Sequence, residues 1–323
     1  MISIFDGHSD MWEDVDEKRN RGLTQIIASG HHPGWQKGKI SGGFYPIWIN
    51  PDETITHKEQ ALRIISNMRR ELSECTGIAK VVTSFSELKQ CEKDGLHAIF
   101  LGAEGLSFLE EDPDFLDELY RMGFREASLT WNEKNFLAAG AGQNADCGLT
   151  KAGADCIKKM DELGMLVDLA HTNQKTFWDI LEISQKPCVI THGSCSRFYS
   201  HPRNYTDDQL RAVRDKNGVI GISSVPMFLA PDIKDATINM MLRHIDYAVT
   251  LIGEDHVALG FDLVDFLDDK NTDPTISADT IGLESISKAQ DLVKGMYRLG
   301  YSENTVKKIC HENFYRVIKE VIG

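Results

Sequence analysis

Eight short apolar runs recur along this chain, at residues 1–5, 42–50, 97–103, 127–131, 165–170, 187–191, 219–225 and 257–261. Segments of helical spacing separate most of them. Runs this short and nearly continuous are the pattern of parallel strands buried on both faces. Between the second and third, residues 57–72 carry Ala61, Leu62, Ile64, Ile65 and Met68 on one side of a helix. Residues 84–92, 112–122, 150–163, 174–183 and 238–252 also read as helices, and 289–321 as two or three more. Their ends carry recognisable signals. Gly164 closes one helix, Thr172-Asn173 caps the next, and Gln209 stands in capping-box position to Thr206 at the start of another. Residues 78–83 read as an extra edge strand, and the polar stretch 13–40 shows no pattern of its own.

Eight such β/α units close into a TIM barrel, here with extra C-terminal helices. An open doubly wound sheet is the alternative, but no Gly-x-Gly-x-x-Gly follows an early strand. With no linker, repeat or low-complexity segment, the reading is one α/β domain over residues 1–323.

Charge and cysteine usage narrow the class. A net charge of −14 without any basic stripe argues against nucleic-acid binding. Seven cysteines at irregular spacing, with no Cys-x-x-Cys, make neither a disulfide framework nor a thiolate zinc site. No run approaches the roughly 18 apolar residues of a membrane span, and the first strand opens without a signal-peptide pattern. The expectation is a cytoplasmic chain with no membrane partner.

A barrel gathers its chemistry at the C-terminal ends of its strands. Strand one ends in His8 and Asp10, which period-two alternation sets on the same side of the chain. Strand three ends in Glu104, strand five in His171, strand six in His192 and strand eight in Asp262. Each alone reads as a capping or loop residue. Together, at one mouth, three imidazoles and two or three carboxylates exceed what a single zinc ion takes. Two ions fit better, His8 and Asp10 holding one, His171 and His192 the other, with Glu104 between them. Two ions about 3.5–4 Å apart acidify one water while one of them polarises a carbonyl. Asp262, not needed as a ligand, is left to move a proton. Such a set suits amide hydrolysis.

These residues sit in motifs that resemble the membrane (renal-type) dipeptidase family, binuclear zinc dipeptidases of the amidohydrolase superfamily. The resemblance runs through Asp6-Gly7-His8-Ser9-Asp10, Gly102-Ala103-Glu104-Gly105, Asp168-Leu169-Ala170-His171 and Thr191-His192-Gly193-Ser194. It continues in His201-Pro202-Arg203-Asn204, in 256–262 and in 312–317. It implies two Zn2+ per chain on His8, Asp10, Glu104, His171 and His192, with Glu104 bridging. It implies that Arg203 binds the free carboxylate of a dipeptide and that Asp262 serves the bridging water and the leaving amine. Tolerance of a D-residue at the C-terminal position and a homodimer follow from the same resemblance. By itself Arg203 reads as a surface arginine before a helix N-cap; only the motif assigns it to substrate.

The chain departs from that pattern in places. Trp131 and Asn132 stand where mammalian members place a histidine thought to assist the oxyanion, and are read here as substrate-binding. Asp262-Leu263-Val264-Asp265 lacks a glycine turn, and His311 replaces a glycine before the terminal motif. Without the secretion, disulfide and lipid-anchor signals of the mammalian enzymes, the chain looks like a bacterial, cytoplasmic member. His31 and His32 read as solvated loop residues, and His97, His244 and His256 as satisfied core histidines. Ser194 and Cys195 lack a separate base to activate them. Two rival readings remain: a binuclear hydrolase of another amide, such as an N-acyl amino acid or lactam, and a metal-bound but silent binding protein.

Overall fold

The computed structural model describes residues 1–109, 112, 114–144, 146–267 and 279–323. Eight parallel strands follow one another around a barrel: β1 (Ile4–Asp6), β2 (Ile40–Trp48), β3 (His97–Glu104), β4 (Phe124–Ser128), β5 (Leu166–Asp168), β6 (Val189–Cys195), β7 (Val219–Ile222) and β8 (Val257–Leu259). Each pairs with the next in parallel register. The last seam is made just beyond the strand ends. There the Gly7 N–H donates to the Leu259 carbonyl at 2.8 Å and the Asp262 N–H to the His8 carbonyl at 3.2 Å. The expected edge strand forms at Ala79–Val81, beside the start of β3.

Period-two alternation divides the apolar side chains into two cores. Phe5, Phe44, Phe100, Leu166, Val189, Val219 and Ala258 point into the barrel. There they meet Phe314, Val317, Ile318 and Val321 of the terminal helix Asn313–Val321, which plugs the N-terminal mouth. Their strand neighbours, Ile99, Leu101, Val167, Ile190, Ile220 and Leu259, point outward against the surrounding helices. Filling one end with phenylalanine leaves the other end for chemistry. Close packing there depends on bare backbone: a Cβ on Gly7, Gly221 or Gly260 would lie 2.3, 2.1 or 1.9 Å from the Thr191 carbonyl oxygen.

Two expectations shift. The fourth strand lies at Phe124–Ser128 rather than 127–131, because buried Glu126 belongs to it and interrupts the apolar run that sequence reading looks for. The stretch 13–40 is not irregular: it holds the helices Met11–Asn20 and His32–Gly38, joined through a π-helical turn at Ile27–His31. The first helix buries Asp14 and Asp16 beside Met11, Trp12 and Val15, so its inner face is not apolar in sequence. Asp16 is satisfied by Arg63 and Asn67, and Asp14 by Lys18 and His31.

The helix expected at 112–122 runs Phe115–Arg121, with residue 113 outside the described residues. Gly164 ends its helix at φ +75°, Asn173 caps the next, and Thr206 with Gln209 forms the capping box. The tail makes three helices, at Ala289–Arg298, Glu303–Lys307 and Asn313–Val321. All seven cysteines are free thiols. Among the described residues, no helix is long and apolar enough to cross a membrane.

Candidate active site

The strand ends bring all six expected residues to one mouth, and Glu104 Oε1 is its centre. That oxygen lies 3.5 Å from His8 Nε2, 2.8 Å from His171 Nε2 and 3.6 Å from His192 Nε2. His8 Nε2 is also 3.3 Å from Asp10 Oδ1. Asp262 straddles the group, with Oδ1 4.0 Å from His8 Nε2 and Oδ2 3.9 Å from His192 Nε2. Two sets of ligating atoms are compact enough to share an ion: His8 with Glu104 and His192, and His8 with Asp10 and Asp262. The Asp262 carboxylate therefore lies at the edge of the same cluster, within reach of both His8 and His192.

Backbone geometry aims these side chains. The Asp6 carboxylate accepts N–H groups from Phe261 (2.9 Å) and His8 (3.2 Å), which pins the turn presenting His8 against the end of β8. Burial pushes the Asp6 carboxyl up to about 7. His171 and Asp262 both adopt left-handed backbone, at φ +62° and +55°. Such conformations are costly for residues with a Cβ and persist where surrounding structure imposes them.

The donor set fits divalent metal. His8 Nε2 and Asp10 Oδ1 are buried without a hydrogen-bond partner, the state expected of atoms that serve an ion. Each remaining imidazole is held from behind. The Thr191 hydroxyl donates to Asp168 Oδ2 at 2.6 Å, so its oxygen accepts from His192 Nδ1 at 3.0 Å. His171 Nδ1 donates to Asn132 Oδ1 at 2.9 Å. Both rings therefore present an Nε2 lone pair to the mouth, the arrangement that ligand histidines require. Burial, assisted by neighbouring cations, holds both well below the ordinary imidazole range, so they stay neutral. Burial likewise drives the Glu104 carboxyl well up, opposed by His8. Imidazole nitrogen mixed with carboxylate oxygen suits zinc or a similar ion.

Arg203 is not a surface residue. It is 4% exposed, and its Nη2 lies 2.9 Å from His171 Nε2 and 2.6 Å from His192 Nε2. Its Nε and Nη1 are buried with no partner, and its guanidinium carbon lies 5.2 Å from the Phe228 ring centre. Trp131 stands beside His171, with ring centres 6.1 Å apart. Asn132 takes its place behind the His171 ring. His31 is buried against Asp14 at 2.9 Å, contrary to the solvated reading. His97 and His244 are satisfied core histidines, as expected. Sequence reading missed the supporting roles of Thr191 and Asp168. Only the places of Asp168 and Thr191 in the motifs that carry His171 and His192 could have signalled them.

Comparison with known proteins agrees with this geometry. The family model described as membrane dipeptidase (peptidase family M19) matches residues 1–322. An uncharacterised dipeptidase of Schizosaccharomyces pombe is 34% identical, the match covering 98% of this chain and 80% of that protein. A Rhodobacter sphaeroides metallopeptidase, solved with a phosphinate mimic of the dipeptide L-Ala-D-Ala, superposes with a TM-score of 0.86 at 25% identity, covering 99% of both chains. A dipeptidase of the same peptidase family superposes at 0.87 with 26% identity, over 100% of this chain and 99% of that one. A match of this extent, on a barrel whose mouth gathers three histidines around one glutamate, makes the chain a member of the membrane dipeptidase family of metallopeptidases.

Proposed function

We propose that the protein is a zinc-dependent dipeptidase that accepts a D-residue at the C-terminal position of its substrate. The observation that carries the reading is the convergence of His8, His171 and His192 on Glu104 Oε1, with the buried guanidinium of Arg203 alongside. His8, Asp10, Glu104, His171 and His192 would hold two divalent ions. When bound, such a pair supplies an acidified water and a Lewis acid for the scissile carbonyl.

The chain's own residues do the rest. The unpartnered Nε and Nη1 of Arg203 leave charged N–H donors free to bind a carboxylate. That grip fixes the distance from the substrate's C-terminus to the bond broken, so a longer peptide has no carboxylate at the right place. Asp262 stands about 4 Å from two imidazoles, farther than Asp10 stands from His8. From there it can take a proton and pass it to the departing amine.

Release of amino acid from L-Leu-L-Ala and L-Leu-D-Ala by zinc-loaded protein, with and without chelator, tests the reading. Chelator-sensitive release of both is the expected result. No release from either with zinc bound, or a tripeptide cleaved as fast as a dipeptide, would overturn it. A cytoplasmic setting accords with the seven free thiols. The same reading expects a homodimer, and light scattering giving the mass of a single chain would overturn that part.

A further inference from the structure

Trp48 is the last residue of β2, and nothing so far gives it a task. Strand register sets it directly beside Glu104. Alternation puts Trp48 on the face of Phe44 and Glu104 on the face of Phe100, and both phenylalanines belong to the barrel's inner core. Both Trp48 and Glu104 therefore rise at the catalytic mouth. The indole meets Trp131 edge-on, with ring centres 5.4 Å apart. Its Nε1 is nevertheless buried with no hydrogen-bond partner. Trp12 shows the ordinary outcome, its Nε1 donating to the Tyr45 carbonyl at 3.0 Å. An indole N–H only donates, and a folded chain rarely strands one away from water.

We infer that the Trp48 indole N–H is a substrate-facing donor that binds the scissile carbonyl oxygen of the dipeptide. This rests on the dipeptidase reading above and extends it to a residue outside the ligand set. A dipeptide backbone offers two kinds of acceptor oxygen, the carbonyl and the terminal carboxylate. Arg203 leaves the barrel after β6, four strands around from β2, and serves the carboxylate. The carbonyl is the acceptor that remains for Trp48. A donor held in place by packing gains strength as that oxygen acquires charge, so its effect falls on the chemical step. Trp131 keeps the indole from turning away, which makes the pair of tryptophans one rigid wall.

Trp48→Phe keeps a ring and removes the N–H. The expected result is a fall in kcat of roughly 10–10²-fold, matched by a similar loss of affinity for a phosphinate dipeptide mimic. Metal content and melting temperature should be unchanged. Trp48→His, which restores a ring N–H, should recover part of kcat. Wild-type kcat and KM in the phenylalanine variant would overturn the inference. So would a loss confined to KM, which would put the indole on the carboxylate, or a histidine variant no better than phenylalanine. A wild-type enzyme that cleaves no dipeptide is a different result, since it removes the functional reading itself.

Discussion

Asn132 holds the ring of His171 from the side away from the mouth, its Oδ1 accepting from Nδ1 at 2.9 Å. The contact decides which nitrogen of His171 carries the proton and leaves the other free for a ligand bond. Asn132 therefore acts through His171.

Removing that acceptor should loosen metal without unfolding the barrel. Asn132→Leu is expected to weaken binding of one ion by about 10–100-fold, while Asn132→Asp, which keeps an acceptor oxygen, stays near wild type. Zinc affinity by chelator competition measures this. Equal affinities in the two variants would mean that the contact does not orient the ligand.

Arg203 presents a planar fork, and a point charge does not replace it. Arg203→Lys should keep the metal and lose substrate affinity, and Arg203→Ala should lose about 3–4 kcal/mol of it, or roughly 10²–10³-fold in kcat/KM. Initial rates on L-Leu-L-Ala, with metal content measured in parallel, separate this from a damaged centre. An alanine variant with unchanged kcat/KM would move carboxylate recognition elsewhere.

Phe314 plugs the far end of the barrel against Phe5 and Phe44, with ring centres at 5.9 and 5.6 Å. Phe314→Ala should cost about 3–5 kcal/mol of stability while leaving kcat per folded molecule unchanged. Chemical denaturation followed by assay below the transition would show it. A kcat that falls before unfolding begins would tie the plug to the site.

His97 supplies a pH dependence outside the cluster at the barrel mouth. It lies flat on Trp35 at 3.6 Å, donates from Nδ1 to the Ile40 carbonyl and accepts the Tyr45 hydroxyl at 2.6 Å. Burial lowers its pKa to about 3. Above the unfolded value near 6.5 the ring is neutral in both states and costs nothing. Below it the unfolded chain takes up the proton first, so stability falls as the pH falls until the folded value is reached, by a total on the order of 5 kcal/mol. Denaturation at pH 7 and pH 4.5 should show a shallower loss in His97→Gln than in wild type. Parallel losses would place the acid sensitivity in other groups.

Local pattern was enough to recover the barrel and the polar residues that meet at its mouth. Alternation and apolar runs mark strands, strand ends mark the mouth, and His8, Asp10, Glu104, His171, His192 and Asp262 each follow a run. Where a buried face is polar the pattern disappears, as for Glu126 in β4 and for Asp14 and Asp16 in the first helix. Their burial is made tolerable by partners far away in sequence, such as Arg63 and Asn67 for Asp16. The same distance hides the supports of the site. Asp168 reaches His192 through Thr191, Asn132 reaches His171 across 39 residues, and Trp48 meets Trp131 across the mouth. The sequence by itself determined the fold class and the polar residues that end its strands, because both are written in near neighbours along the chain. Only the tertiary structure decided which lone pairs face the centre, that Arg203 is buried and that the Trp48 N–H is left unpaired. Those properties depend on which atoms closing the barrel brings into contact.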